Sequence, residues 1–247
     1  MKYVVRTVIL CGIAAIIMYF ALGESSEQPK ISRIAQTTPQ SEVSAPEIPE
    51  EKPTSPLKIS AEFENLRQEY GNNDIVAVLK IDGTTIDYPV VQYSDNEYYL
   101  TRDIYKENNR SGWIFMDYEN TLVNIDQNNI IYGHNMKQNI MFHGLRNYAN
   151  KDFFDKHRYI TLKTAYGADT TWEIFSFMDT SIELNYIQVY FEEGEFAALV
   201  KEIKARSVYD TGVDANENDK ILNLSTCSVK PLEGGRRYVL SAKLLKQ

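Results

Sequence analysis

Cysteine, histidine and tryptophan are scarce in this chain, with two, three and two copies among 247 residues. One cysteine, Cys11, lies inside the apolar run Tyr3 to Leu22, which leaves Cys227 as the only thiol in the rest of the chain. A disulfide-stapled scaffold is therefore excluded. Positive charge is also short: 26 Lys and Arg stand against 34 Asp and Glu, a formal net charge of -8. A nucleic-acid binder concentrates Lys and Arg to neutralise phosphates. No basic stripe occurs, so nucleic acid is not an expected partner. The densest acidic cluster, Glu192, Glu193 and Glu195, opens an expected helix, where carboxylates favour the positive end of the helix dipole. Neither a metal nor a cofactor is assigned.

Proline is almost missing from the later chain. Six of the eight prolines (Pro29, Pro39, Pro46, Pro49, Pro53 and Pro56) fall between Gly23 and Pro56, among Ser, Thr, Glu and Gln. Such a composition buries no core, so residues 24–56 are expected to form a disordered tether. Before it, Tyr3 to Leu22 supplies about 20 nearly unbroken apolar residues, enough at ~1.5 Å per residue to cross a ~30 Å hydrocarbon layer. Lys2 and Arg6 lie on its amino-terminal side and Glu24 and Glu27 follow it. By the positive-inside rule residues 1–23 are a cytoplasmic tail and membrane anchor, with everything after them outside the cell. A cleaved signal peptide is the competing reading, but the run exceeds the usual 7 to 15 residue apolar region of a signal. Residues 57–247 remain as one folded domain.

Within that domain Ile59, Phe63, Leu66 and Tyr70 recur at helical spacing up to Gly71, predicting an amphipathic helix. Eight runs rich in Val, Ile, Tyr, Phe and Thr then read as strands: 75–81, 85–92, 113–117, 129–132, 159–163, 171–178, 221–226 and 237–245. Helical interruptions are expected near Ile140 to Tyr148 and over Glu192 to Arg206, where Phe196, Leu199, Val200 and Ile203 form an apolar stripe. Eight strands suit a closed barrel, which leaves no exposed edge.

Cys227 ends the apolar strand 221–226, and Pro231, Gly234 and Gly235 mark a loop before the next strand. A nucleophile at a strand end is held by the rigid sheet and left open by the loop. His134 has a similar setting, after Asn129-Ile130-Ile131-Tyr132 and the permissive Gly133. An imidazole near a thiol takes its proton or favours thiolate. A fixed guanidinium offsets the charge that develops on a carbonyl oxygen under attack, which elsewhere is worth roughly 2.7–4 kcal/mol. Arg236 and Arg237 open the last strand, and alternation places them on opposite faces. His143 and His157 have no role that the sequence supports.

Three segments in this order, Tyr132-Gly133-His134-Asn135, Leu224-Ser225-Thr226-Cys227 and Arg237-Tyr238-Val239-Leu240, resemble the signature segments of sortases. Tyr88-Pro89-Val90-Val91-Gln92, Ser111-Gly112-Trp113-Ile114-Phe115-Met116-Asp117 and the helix before the cysteine strand resemble class B members in particular. The resemblance covers about residues 57 to 247. It implies a mainly β, eight-stranded sortase-type barrel with an amino-terminal helical extension and a long helix before the cysteine strand. It also implies that Cys227 attacks the threonine carbonyl of a sorting motif, His134 handles protons, and Arg237, directly before a hydrophobic triplet, holds the oxyanion or the substrate backbone. The residues matching a class B groove wall are Asn96, Leu100, Tyr186, Ile187, Ser225 and Thr226. The plainer readings are that Leu100 is core, Asn96 caps the turn carrying Tyr98 and Tyr99, and Ser225 and Thr226 satisfy strand hydrogen bonds. The implied partners are exported proteins with a carboxy-terminal sorting motif and a peptidoglycan precursor or cross-bridge amine, or a pilin lysine.

Two rival classes remain on sequence grounds. A papain-like peptidase or wall hydrolase uses the same pair with water as acceptor, but places its cysteine before its histidine, commonly at a helix start. A non-catalytic surface module would merely bury Cys227.

Overall fold

The computed structural model describes residues 58–136, 139–180, 184–227 and 237–246. The apolar run Tyr3 to Leu22, the proline-rich stretch, Leu57, the loop with Pro231, Gly234 and Gly235, and Arg236 lie outside the described residues. No helix among the described residues is long and apolar enough to cross a membrane.

Helix α1 runs Ala61–Tyr70 and stops at Gly71, whose φ of 61° is the left-handed conformation that ends helices. Eight strands follow: β1 Ile75–Lys80, β2 Asp87–Val91, β3 Phe115–Met116, β4 Asn128–His134, β5 Tyr159–Thr164, β6 Asp169–Thr180, β7 Ile221–Cys227 and β8 Arg237–Lys246. They close into a barrel in the order β1-β2-β3-β4-β7-β8-β6-β5. The expected mainly β barrel of eight strands is therefore the fold. Most neighbours are antiparallel, but β2 with β3 and β4 with β7 are parallel.

The barrel interior is filled from alternate positions. Ile131 of β4, Leu222 and Leu224 of β7, and Leu240 and Ala242 of β8 pack there with the fully buried Trp172 and Phe177. Two smaller clusters cover the outside. One places Ile130 and Tyr132 with Phe63 of α1 and with Phe115. The other places Ile221 and Val239 against Phe196, Val200 and Ile203 of α3, the helix Glu195–Ala205. The apolar stripe of that helix is thus packing surface.

Some segments differ from the sequence reading. The helix expected near Ile140 to Tyr148 is a 3₁₀ helix, Phe142–Ala149. It is followed by α2, Lys151–Lys156, capped by the Asn150 side chain, which accepts from Asp152 N. Six residues are too few for periodicity to show. Helix α3 starts at Glu195 because Gly194, with φ of 83°, turns the chain just before it. Strand β3 is two residues long because Trp113 leaves the ladder: its backbone N–H donates to Tyr99 O and its indole Nε1 to Pro89 O.

Candidate active site

Strands β4, β7 and β8 lie side by side and set the site. β4 pairs with β7 in parallel, with partners Ile130↔Asn223, Tyr132↔Ser225 and His134↔Cys227. β7 pairs with β8 in antiparallel register down to Ser225↔Val239, and past that point Arg237 donates to Thr226 O, which holds the start of β8 beside the end of β7. His134 and Cys227 therefore occupy one row of adjacent strands, about 4.8 Å apart, with Arg237 bound to Thr226 next to it on the third strand. His134 and Arg237 alternate onto the outer face: Ile130 and Tyr132 belong to the cluster under α1, and Val239 to the cluster under α3.

His134 is 3% exposed, and its Nε2–H donates to the backbone carbonyl of Leu100 at 2.7 Å. A carbonyl only accepts, so Nε2 carries a proton, and Nδ1 is the nitrogen left to exchange one. Nδ1 is buried and has no hydrogen-bond partner among the described residues. A buried, unpartnered basic nitrogen in the row of a thiol is suited to take up and return a proton.

The ring is held by a close backbone approach. Gly112 has φ of +56°, and a Cβ there would lie 2.5 Å from Tyr99 O, 2.8 Å from Leu100 O and 3.0 Å from His134 Cδ2. Those are the ring, the carbonyl it bonds, and the carbonyl before it. Glycine is required twice over, by conformation and by space. Gly112→Ala is expected to lose about 1–3 kcal/mol through backbone strain and about 100-fold in turnover through displacement of the ring. Urea unfolding followed by tryptophan fluorescence reads the first and peptide turnover the second; a fully active, equally stable variant would contradict this cradle.

Arg237 is half-buried and donates from one terminal guanidinium nitrogen to Thr226 O at 3.0 Å, while Thr226 Oγ1 accepts from Tyr238 N at 2.9 Å. Tyr238 turns the other way and stacks on Phe177 in the barrel, 5.8 Å between centroids. Thr226 thus fastens the arginine next to the cysteine position.

The other groove residues expected from sequence fall into separate roles. Leu100 meets the site through its carbonyl and packs its side chain on the outer cluster with Tyr99. Ser225 and Tyr186 are buried and share a 2.8 Å hydrogen bond between their hydroxyls, one row below the cysteine. Ile187 beside them is 43% exposed. Asn96 is not the cap of the turn Tyr98–Leu100; Asp95 Oδ1 accepts from Glu97 N and Tyr98 N instead. Asn96 donates to Asp117 Oδ2 at 2.9 Å and accepts from Tyr118 N, and the same Asp117 oxygen accepts from Tyr132 OH at 2.7 Å. Asp117, Gly112 and Tyr132 went unassigned as single residues in the sequence, although all three lie in the motifs quoted above.

The remaining histidines are engaged elsewhere: His143 Nδ1 lies 2.9 Å from Asn135 Oδ1, and His157 Nδ1 lies 2.8 Å from Asp82 O. Burial, and then the nearby Arg146, lower the His143 pKa and favour its neutral form. Among the described residues no three His, Cys, Asp or Glu are grouped to hold a metal ion.

Known proteins are similar to this chain. A family model described as Sortase domain matches residues 79–245. The chain is 37% identical over 189 residues to sortase B of Staphylococcus aureus, covering 76% of each chain. It is 40% identical over 176 residues to sortase B of Listeria monocytogenes, covering 70% of this chain and 71% of that one. A solved structure described as a Staphylococcus aureus sortase B-substrate complex superposes with a TM-score of 0.71 at 36% identity, over 76% of this chain and 87% of that chain. With the family model spanning well over half of its length and sortase B relatives above one-third identity, the chain belongs to the sortase family of cysteine transpeptidases, in its class B group.

Proposed function

We propose that this sortase is a membrane-anchored enzyme that cleaves the sorting motif of exported proteins after threonine and transfers them to a peptidoglycan amine or a pilin lysine. Residues 1–23 would be the cytoplasmic tail and anchor, 24–56 the tether, and 57–247 the catalytic domain outside the membrane. The observation that supports the chemistry is the pairing of His134 with Cys227 in one register, with Arg237 tied to Thr226 beside them and His134 Nε2 occupied while Nδ1 has no partner among the described residues.

In this reading His134 Nδ1 takes the Cys227 thiol proton, and the resulting thiolate forms a bond to the threonine carbonyl carbon. The carbonyl electron pair moves to oxygen, where the Arg237 guanidinium offsets the charge. Collapse breaks the peptide C–N bond, and the leaving nitrogen takes a proton from His134. A thioester remains. An incoming amine then attacks the same carbon, its proton passes to His134, and the Cys227 sulfur leaves as thiolate. The wall side of the groove would be Asn96, Leu100, Tyr186, Ile187, Ser225 and Thr226. That a sortase B relative of this fold has been solved with a substrate supports a peptide groove here.

The test is incubation of the full-length chain in detergent with a panel of sorting-motif peptides, with and without hydroxylamine or a wall-peptide amine, followed by mass spectrometry. Product whose mass carries the amine, formed faster with more amine, is expected. Products carrying only water at every amine concentration would instead identify a hydrolase.

A further inference from the structure

The segment that carries Tyr186 and Ile187 joins β6 to α3, and a buried side chain outside the catalytic row holds it. Asn128, at the first position of β4, is 0% exposed. Its Nδ2 donates to Tyr186 O at 2.8 Å and to Gln188 O at 2.8 Å. Its Oδ1 accepts from Asn223 Nδ2 at 2.7 Å, and Asn223 Oδ1 accepts from Ser241 Oγ. One carboxamide therefore ties a turn of the loop to a polar chain across β4, β7 and β8, with both donors and the acceptor used.

The two carbonyls held are those either side of Ile187, which sits exposed at the tip of the turn, while Tyr186 and Val189 are buried. Tyr186 enters the cluster under α3 and Val189 the cluster containing Ile130 and Tyr132, so the loop crosses the outer faces of β7 and β4. Asn128 is six positions before His134 on the same face of β4, about 20 Å along the strand. It cannot touch the reacting bond.

We propose that Asn128 is a positioning residue of the substrate groove: its carboxamide fixes the turn that presents Ile187 to the sorting peptide. The proposal rests on the peptide groove described under Proposed function. Asparagine suits the place because it offers two donors to two carbonyls in one plane without charge. Aspartate of the same shape offers acceptors to those carbonyls and repels them.

Three measurements on the full-length chain test it. Asn128→Asp is expected to raise KM for the sorting peptide at least about 10-fold, with kcat and the rate of Cys227 alkylation by iodoacetamide each within about 3-fold of the parent. In an Ile187→Ala background the same substitution is expected to raise KM less than about 2-fold, because Asn128 acts through Ile187. Without any substrate, chymotrypsin is expected to cut at Tyr186 or Tyr190 at least about 10-fold faster in Asn128→Asp than in the parent. This last reading is independent of function: if no sorting peptide is turned over, the functional reading fails while the hold on the loop is still tested. If Asn128→Asp loses its cooperative melt, Asn128→Ser, with one uncharged donor, is read instead with the same directions. The proposal is overturned by an unchanged KM and cleavage rate, by equal effects with and without Ile187, by a kcat and alkylation rate that fall together with KM, or by loss of the cooperative melt in both variants.

Discussion

Cys227→Ala is expected to abolish transpeptidation, with turnover lower by on the order of 10⁴–10⁶-fold, the scale of nucleophile deletion in other covalent enzymes. The groups beside it do not substitute for it. His134 can move a proton and Arg237 can offset charge, but neither forms the thioester that splits the exchange into two easier steps. The fold should be indifferent, since the change removes one sulfur at the last position of β7 while the strand pairing with β4 is made by backbone. Binding should persist as well, because the expected groove contacts belong to other residues. Three readouts separate these effects: no acyl-enzyme mass after mixing with a sorting peptide, peptide affinity within about 3-fold of the parent, and an unchanged melting temperature. Wild-type cleavage by the alanine variant would remove Cys227 from the mechanism altogether.

The proposed nucleophile is singled out by elimination. With Cys11 inside the apolar run, one thiol remains in the rest of the chain, and that argument needs no three-dimensional contact. The eight strands were legible because Val, Ile, Tyr and Phe fill the barrel and, on several strands, the outer clusters too, so most read as apolar runs, while β5 alternates buried and exposed residues. Where a residue's role depends on distant partners, the sequence was silent. Gly112 looks like any turn glycine until Tyr99 O, Leu100 O and His134 Cδ2 are brought around it. Asn128 falls just before the expected strand 129–132, although it closes hydrogen bonds to positions 58 and 60 residues away. Leu100 was read for its side chain, whereas its carbonyl is what meets His134. The plainer reading of Asn96, as a cap, follows from a small polar residue before the Tyr98–Leu100 turn, but Asp95 one step earlier already accepts both amides, which frees Asn96 to reach Asp117.

Arg237→Lys is expected to lower kcat by about 10²–10³-fold, the loss that follows removal of one oxyanion donor, with little change in KM. The two residues share a charge, so the effect must come from geometry. The guanidinium presents a planar fork of five N–H groups, and one of its terminal nitrogens is committed to Thr226 O at 3.0 Å. In the proposed mechanism that bond anchors the plane while the rest of the fork meets the developing oxyanion. An ammonium on a flexible stem offers its three donors from one point and cannot hold Thr226 O and an oxyanion in the same fixed arrangement. If it keeps the Thr226 bond, the oxyanion is poorly met; if it turns to the oxyanion, the strand end before Cys227 loses its tie. Exogenous guanidinium should partly restore an Arg237→Ala variant, whereas an alkylammonium should not. Burst kinetics place the defect: acylation should slow, while Cys227 alkylation, which builds no oxyanion, should stay within about 3-fold of the parent. A lysine variant with normal acylation would reassign Arg237 to holding Thr226 alone, and the oxyanion would then need another donor.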